Sequence, residues 1–214
     1  MRSVIPEIDK IAESARMALE VKNQAREAAL ARCREAIRHS ANAIRAVHRQ
    51  EYPAAKDLIE RAATLLSEAK TALADQLDIF YAGFVHDAQK EYAEASLTLA
   101  LVSGQRLPSP SDLDVELPAY LNGLGEAVGE LRRHLLDSLR SGAIEYCEDV
   151  LSAMDEIYGS LVTFDYPEAM TGGLRRTTDN VRGILERSRG DLTLAVRQRE
   201  LERKLSDFEG RLKG

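Results

Sequence analysis

The chain has 214 residues, of which 30% are charged, 44% hydrophobic and 5% aromatic, with no Trp and a net charge of −6. Ala, Leu, Glu and Arg dominate and favour helix, whereas the β-branched and aromatic residues that strands need are scarce, which argues against a sheet protein. No apolar run approaches the roughly 20 residues that span a bilayer, and the charged stretch Met1 to Lys22 lacks the apolar segment of a signal peptide, so the expectation is a soluble, cytoplasmic protein with no membrane partner.

Six prolines punctuate long stretches of helical periodicity, so the chain is expected to form few, long helices. The first begins after Pro6 and carries Ile8, Ile11, Ala15, Leu19, Ala29, Ala36, Ile37, Ile44 and Val47 at three-to-four spacing until about Gln50. A second starts near Tyr52, where Pro53 suits a first turn. After a soft break around Asp75, a third carries Ile79, Val85, Ala88, Tyr92, Ala95 and Leu99 to about Val102. Gly104 to Pro118, GQRLPSPSDLDVELP, has no helical period and is expected to be a long surface loop. A fourth helix follows over Ala119–Ser141, buried through Leu124, Val128, Leu131 and Leu135, then a fifth over Ala143–Val162. After Pro167, Gly172 and Gly173 a last helix starts at Leu174. No sequence repeat occurs at a fixed period. The expected fold is all-α, an antiparallel bundle of six to seven long helices forming a single domain over 1–214.

The net charge hides a segregation: residues 1–21 carry −1, 22–50 carry +5, 51–173 carry −14 and 174–214 carry +4. An acidic middle between basic helices places a cation site beside an anion-attracting surface, although charge runs are commonly no more than solvated faces. In the acidic middle, Glu91 with Glu94 and Glu126 with Glu130 share one face of their respective helices. Two helices that aim such pairs into a shared gap form an oxygen-rich site for Mg²⁺ or Mn²⁺. Glu126 and Glu130 also fall opposite the Leu124, Val128, Leu131 stripe, the placement of solvated residues. Gly123, Gly125 and Gly129 follow no strand and do not form a phosphate loop; small residues at this spacing let another helix approach.

The basic stretch of the first helix holds Lys22, Arg26, Arg32, Arg34, Arg38, Arg45 and Arg49, with His39 and His48 among them. Arginine forks suit phosphate, so this helix is a candidate nucleic-acid surface, with an ordinary amphipathic helix as the alternative. His134 lies one turn past Glu130, and His86 is isolated. The two cysteines, Cys33 and Cys147, have no ligand spacing and read as packing residues. With no Ser or Cys near a His at triad spacing, any hydrolysis here has to be driven by a metal.

KEYAEA at 90–95, YLNGLGEAVGEL at 120–131, GLRR at 173–176 and REAIR at 34–38 together resemble the translin family, which comprises translin and translin-associated factor X. The resemblance spans nearly the whole chain. It implies a seven-helix fold, a hollow homo-oligomeric shell of octamer type, binding of single-stranded RNA or single-stranded DNA and, where the acidic site is complete, Mg²⁺-dependent endoribonuclease activity. The catalytic carboxylates of factor X match Glu91, Glu94 and Glu130, and its Asp falls where this chain has Glu126, one methylene longer. Translin itself carries an apolar residue there. The resemblance thus assigns Glu91, Glu94, Glu126 and Glu130 as catalytic metal ligands for Mg²⁺ or Mn²⁺, and the arginine helix, with Arg32, Arg34, Arg38, Arg45 and Arg49, as the RNA-holding wall. The alternative is a noncatalytic nucleic-acid-binding oligomer.

Overall fold

Helix α1, Ile5–His48, has Pro6 in its first turn, where the missing N–H removes no helical hydrogen bond. The computed structural model describes residues 5–212. A tight turn through Gln50, at φ 61°, sends the chain back as α2, Tyr52–Ala72. One short turn, α3, Leu77–Phe80, fills the break expected near Asp75, and the pattern resumes as α4, Phe84–Ser103. The loop after Gly104 holds a further single turn, α5, Pro110–Leu113, before α6, Leu117–Arg140. The remaining elements are α7, Ile144–Leu161, a one-turn α8, Glu168–Thr171, and α9, Leu174–Leu212. Six helices are long and three are single turns, and no strand occurs among the described residues. No described helix is long and apolar enough to cross a membrane.

Packing partners give the helix directions. Ala29 packs in one cluster with Ala69 and Ala88, Ala36 with Ala62 and Tyr92, and Ala43 and Ile44 with Ala95. Numbers fall along α2 and rise along α4, so α2 is antiparallel to α1 and α4 is parallel to it. The hairpin α6/α7 is antiparallel too, with His134 Nε2 3.0 Å from Tyr146 Oη and Cys147 Sγ against the Leu135 carbonyl. α9 returns antiparallel to α7, pairing Arg189 with Asp155 and Arg199 with Glu145.

The expected antiparallel order gives way between α4 and α6, which run the same way. The Glu116 N–H donates to Gln89 Oε1 at 3.3 Å, Gly123 abuts the main chain of Lys90 and Glu94, and Ala127 packs with Ala93 and Leu97. The physical reason is the loop: it carries the chain back along α4 before α6 begins. The loop is itself ordered. Ser109 and Asp112 form a reciprocal capping box at α5, Lys70 Nζ pairs with Asp114 at 2.7 Å, and Tyr120 Oη donates to the Pro108 carbonyl at 2.8 Å.

The largest core cluster lies between α6, α7 and α9, around Val128, Leu135, Met154, Leu161, Val181 and Leu192. A buried polar node ties the start of this layer together. Asn122 donates to the Pro118 and Thr171 carbonyls and accepts from Thr177 Oγ1 at 2.6 Å, so all of its hydrogen-bonding directions but one are used. Before Ala29 in α1 and after Leu192 in α9 no described residue is buried, so both long helices overhang the core, from opposite ends because they run in the same sense.

Candidate metal centre

The site is made by a close approach of α4 and α6. A Cβ built on Gly123 would lie 2.7 Å from the Lys90 carbonyl oxygen, 2.9 Å from Ala93 Cβ and 3.0 Å from the Glu94 nitrogen, so only glycine permits this contact. Gly125 serves the opposite flank, where a Cβ would meet Thr177 Cγ2 of α9. Glu126, one turn after Gly123, is thereby aimed at the KEYAEA face of α4. One carboxylate oxygen from each of Glu91, Glu94 and Glu126 lies within 4.8 Å of the other two. The longer Glu126 side chain reaches the cluster, and it and Glu130 are half-buried rather than fully solvated as their position opposite the leucine stripe suggested, because Lys90 of α4 and His48 of α1 lie against them.

Glu130 does not join this trio. Its Oε2 is 2.5 Å from Nε2 of His48, whose side chain is only 4% exposed, so the last turn of α1 closes the far end of the acidic face. His134 is not part of the trio and is bonded to Tyr146, with the rings edge to face at 5.5 Å. Two residues that sequence reasoning gave no role are thus part of the site: His48, counted only within the basic helix, and Lys90, inside the acidic motif. Lys90 Nζ is 2.7 Å from Glu126 Oε1 and 3.7 Å from Glu91 Oε1. A lysine beside a glutamate in the sequence is too common a pattern to signal either contact.

Electrostatically the cluster is under strain. Glu94 is 9% exposed and makes no hydrogen bond or ion pair among the described residues. Burial, then the charges of Glu91, Glu126 and Glu130, push its carboxyl up to about 8. Burial likewise raises Glu91, with Lys90 working in the other direction. For Lys90, burial disfavours the ammonium, but the hydrogen bond and charge of Glu126, with Glu91 and Asp87, more than offset it and the pKa rises. Three convergent carboxylates form a donor set of the hard-oxygen type that suits Mg²⁺ or Mn²⁺.

The candidate arginines separate into two groups. At 100° per residue, Arg34, Arg38, Arg45 and Arg49 fall within about 60° of one another on α1, and all four are exposed. Arg38 is paired with Glu35, Arg49 with Glu51, and Arg45 bonds Asn42. Arg32 is on the other side, holding Glu68 of α2 at 2.9 Å and the Ala28 carbonyl at 3.0 Å, which makes it a helix-pairing residue. The stripe leads to the carboxylates: Arg45 and Arg49 flank His48, which touches Glu130. A cavity of about 470 Å³ lies beyond the other end of the cluster, with His86, Gln89, Glu116 and Tyr81 in its lining. Burial lowers the His86 pKa.

The fold and site define an all-helical protein with an inter-helix carboxylate centre and a basic helix alongside it. No family model matches the chain. It is 30% identical over 187 residues to the uncharacterized protein MJ0175 of Methanocaldococcus jannaschii, an alignment covering 86% of this chain and 82% of that protein. It superposes on the crystal structure of AfC3PO with a TM-score of 0.81 and 34% identity, covering 88% of this chain and 98% of that one. AfC3PO in its duplex RNA complex gives the same TM-score and identity over 97% of that chain. Apo-NeC3PO, at 22% identity and a TM-score of 0.75, shares the fold over 89% of this chain and 97% of its own. The chain belongs to the translin family, the group to which these C3PO proteins belong.

Proposed function

We propose that the protein is a homo-oligomeric, RNA-binding, metal-dependent endoribonuclease. The observation that carries this reading is the convergence of Glu91, Glu94 and Glu126: three carboxylate oxygens within 4.8 Å of one another repel when ionised, and a cation between them offsets that repulsion. A divalent ion held there supplies an activated water and a clamp on phosphoryl oxygen. The chain's own residues do the rest. Glu91, Glu94 and Glu126 would hold the ion, with Glu94 releasing its proton to solvent to serve as a ligand. Glu130, fixed by His48, stands next to them as a further acceptor. Arg34, Arg38, Arg45 and Arg49 hold the sugar–phosphate backbone along α1, a recognition mode that is salt-dependent and weakly selective for sequence. The duplex RNA bound by AfC3PO supports RNA as the ligand, with single-stranded RNA and DNA as further candidates. Oligomerisation is supported by the overhang of α9, where Leu194, Leu201, Leu205 and Phe208 form one exposed apolar stripe, a pattern that pairs with another helix.

A noncatalytic RNA-binding oligomer is the second reading, favoured by one contact: Lys90 already neutralises part of the acidic cluster. The two are separated by incubating single-stranded and duplex RNA of one sequence with Mg²⁺ and either the wild type or Glu126→Gln. Cleavage by the wild type alone is expected. RNA binding by both with equal cleavage, or with none, would overturn the catalytic reading.

A further inference from the structure

We propose that Lys90 is a tethered counter-ion of the carboxylate cluster, which a divalent cation must displace, so that this side chain sets the metal affinity of the site. The inference rests on the metal reading above and concerns how the site is filled. Its basis is geometric. The Lys90 carbonyl abuts Gly123 of α6, so the lysine stem starts at the seam between the two helices. From there the ammonium reaches Glu126 Oε1 at 2.7 Å and Glu91 Oε1 at 3.7 Å, and only 22% of the side chain is exposed. It therefore bridges the carboxylate of α6 to the one on α4, the same two elements an ion has to bridge.

An ammonium and a divalent ion cannot share that position. Mg²⁺ and Mn²⁺ draw carboxylate oxygens to about 2.0–2.2 Å, and a second positive charge hydrogen-bonded to the same oxygen is repelled. The lysine side chain has a flexible four-carbon stem and can swing away without moving either helix. Even with Glu94 protonated, Glu91 and Glu126 against one ammonium leave a net negative charge, so the cluster still attracts a divalent ion, but the ion's binding is reduced by the cost of breaking the Lys90 contacts. Glu94, which the ammonium does not touch, remains available to the ion as a ligand. A monovalent ion offers no charge advantage over the ammonium it would replace, so the tether also selects for divalent charge.

The test is direct binding of Mn²⁺, followed by the electron paramagnetic resonance of free Mn²⁺, in the absence of RNA. Wild type, Lys90→Met, Lys90→Arg and Glu126→Gln are compared. Lys90→Met is expected to bind Mn²⁺ about tenfold or more tightly than the wild type, Lys90→Arg to stay near it, and Glu126→Gln to lose binding. If the wild type binds Mn²⁺ through Glu126 and Lys90→Met binds no more tightly, the counter-ion role is overturned and the metal reading stands. If neither protein binds Mn²⁺ in a Glu126-dependent way, the metal reading itself fails. Should Lys90→Met be unfolded without metal, circular dichroism during a Mn²⁺ titration provides the readout: Mn²⁺-driven refolding supports the proposal, and its absence overturns it.

Discussion

Gly123 presents its bare Cα to the Lys90 carbonyl, at a distance that leaves a Cβ only 2.7 Å from the oxygen. The contact is with backbone, which cannot rotate away. Gly123→Ala is therefore expected to push α4 and α6 apart, to cost about 1–3 kcal/mol in urea denaturation and to weaken Mn²⁺ binding. Gly129, two turns along the same helix, is the control. Its nearest would-be contact is Ile184 Cδ1 at 3.9 Å, so Gly129→Ala is expected to be neutral or to add up to about 1 kcal/mol from helix propensity. Equal effects at the two positions would show that close approach is not what Gly123 provides.

The raised carboxyl of Glu94 makes stability depend on pH in a definite direction. Between about pH 4.5 and 8 the folded protein keeps a proton that the unfolded chain has released, so stability falls as pH rises through that window. Each pKa unit corresponds to about 1.4 kcal/mol, so the loss is on the order of a few kcal/mol. Glu91 acts in the same sense, whereas His86 and His134, both lowered chiefly by burial, act oppositely near their ordinary range. The difference between wild type and Glu94→Gln isolates Glu94. In EDTA the Tm of the wild type should fall more steeply from pH 6.5 to 8 than that of the variant, and Mn²⁺ at pH 8 should restore only the wild type. Parallel slopes would mean that Glu94 ionises normally.

For the arginine stripe the informative quantity is the salt dependence. Replacing Arg34, Arg38, Arg45 or Arg49 by Gln should each weaken RNA binding and reduce the slope of log K against log salt by about 0.7 per lost phosphate contact on a single strand. Arg32→Gln should leave that slope unchanged, because its guanidinium faces Glu68. Filter binding at several salt concentrations decides this. A slope that drops for Arg32 as much as for Arg38 would remove the one-face assignment.

Much of the fold was legible because proline and glycine mark the ends of elements here. Tyr52 and Leu174 were placed as helix starts to the residue, and the fourth and fifth helices to within two residues. The convergence of Glu91, Glu94 and Glu126 was legible in part, since spacing fixes which residues share a helix face and Gly123 hinted at close contact. Spacing does not say which neighbour covers that face. This is why Glu126 and Glu130 read as solvated, and why the diversion of Glu130 to His48 and the insertion of Lys90 stayed hidden. Both contacts join residues that are 82 and 36 positions apart and depend on helix directions. The parallel course of α4 and α6 has no local signal at all. Arg32 was grouped with the other arginines on composition, although its angular position already set it apart.

That parallel course turns the loop Gly104–Glu116 into a ruler. It has to travel from the end of α4 back to the level of Gln89, about 21 Å at the helical rise, before α6 can start. Four of its residues are coiled into α5, and about nine extended ones reach at most about 30 Å. The spare length exceeds one helical turn and is taken up by fixed contacts: the Ser109–Asp112 capping box, Lys70 on Asp114, and the Glu116 N–H on Gln89. The anchored loop, together with the Gly123 contact, therefore holds the vertical register of α6 against α4. A slip of one helical turn, about 5.4 Å, would bring Asn122 or Glu130 opposite Glu94 in place of Glu126. The acidic centre is thus calibrated by a segment that contributes no side chain to it.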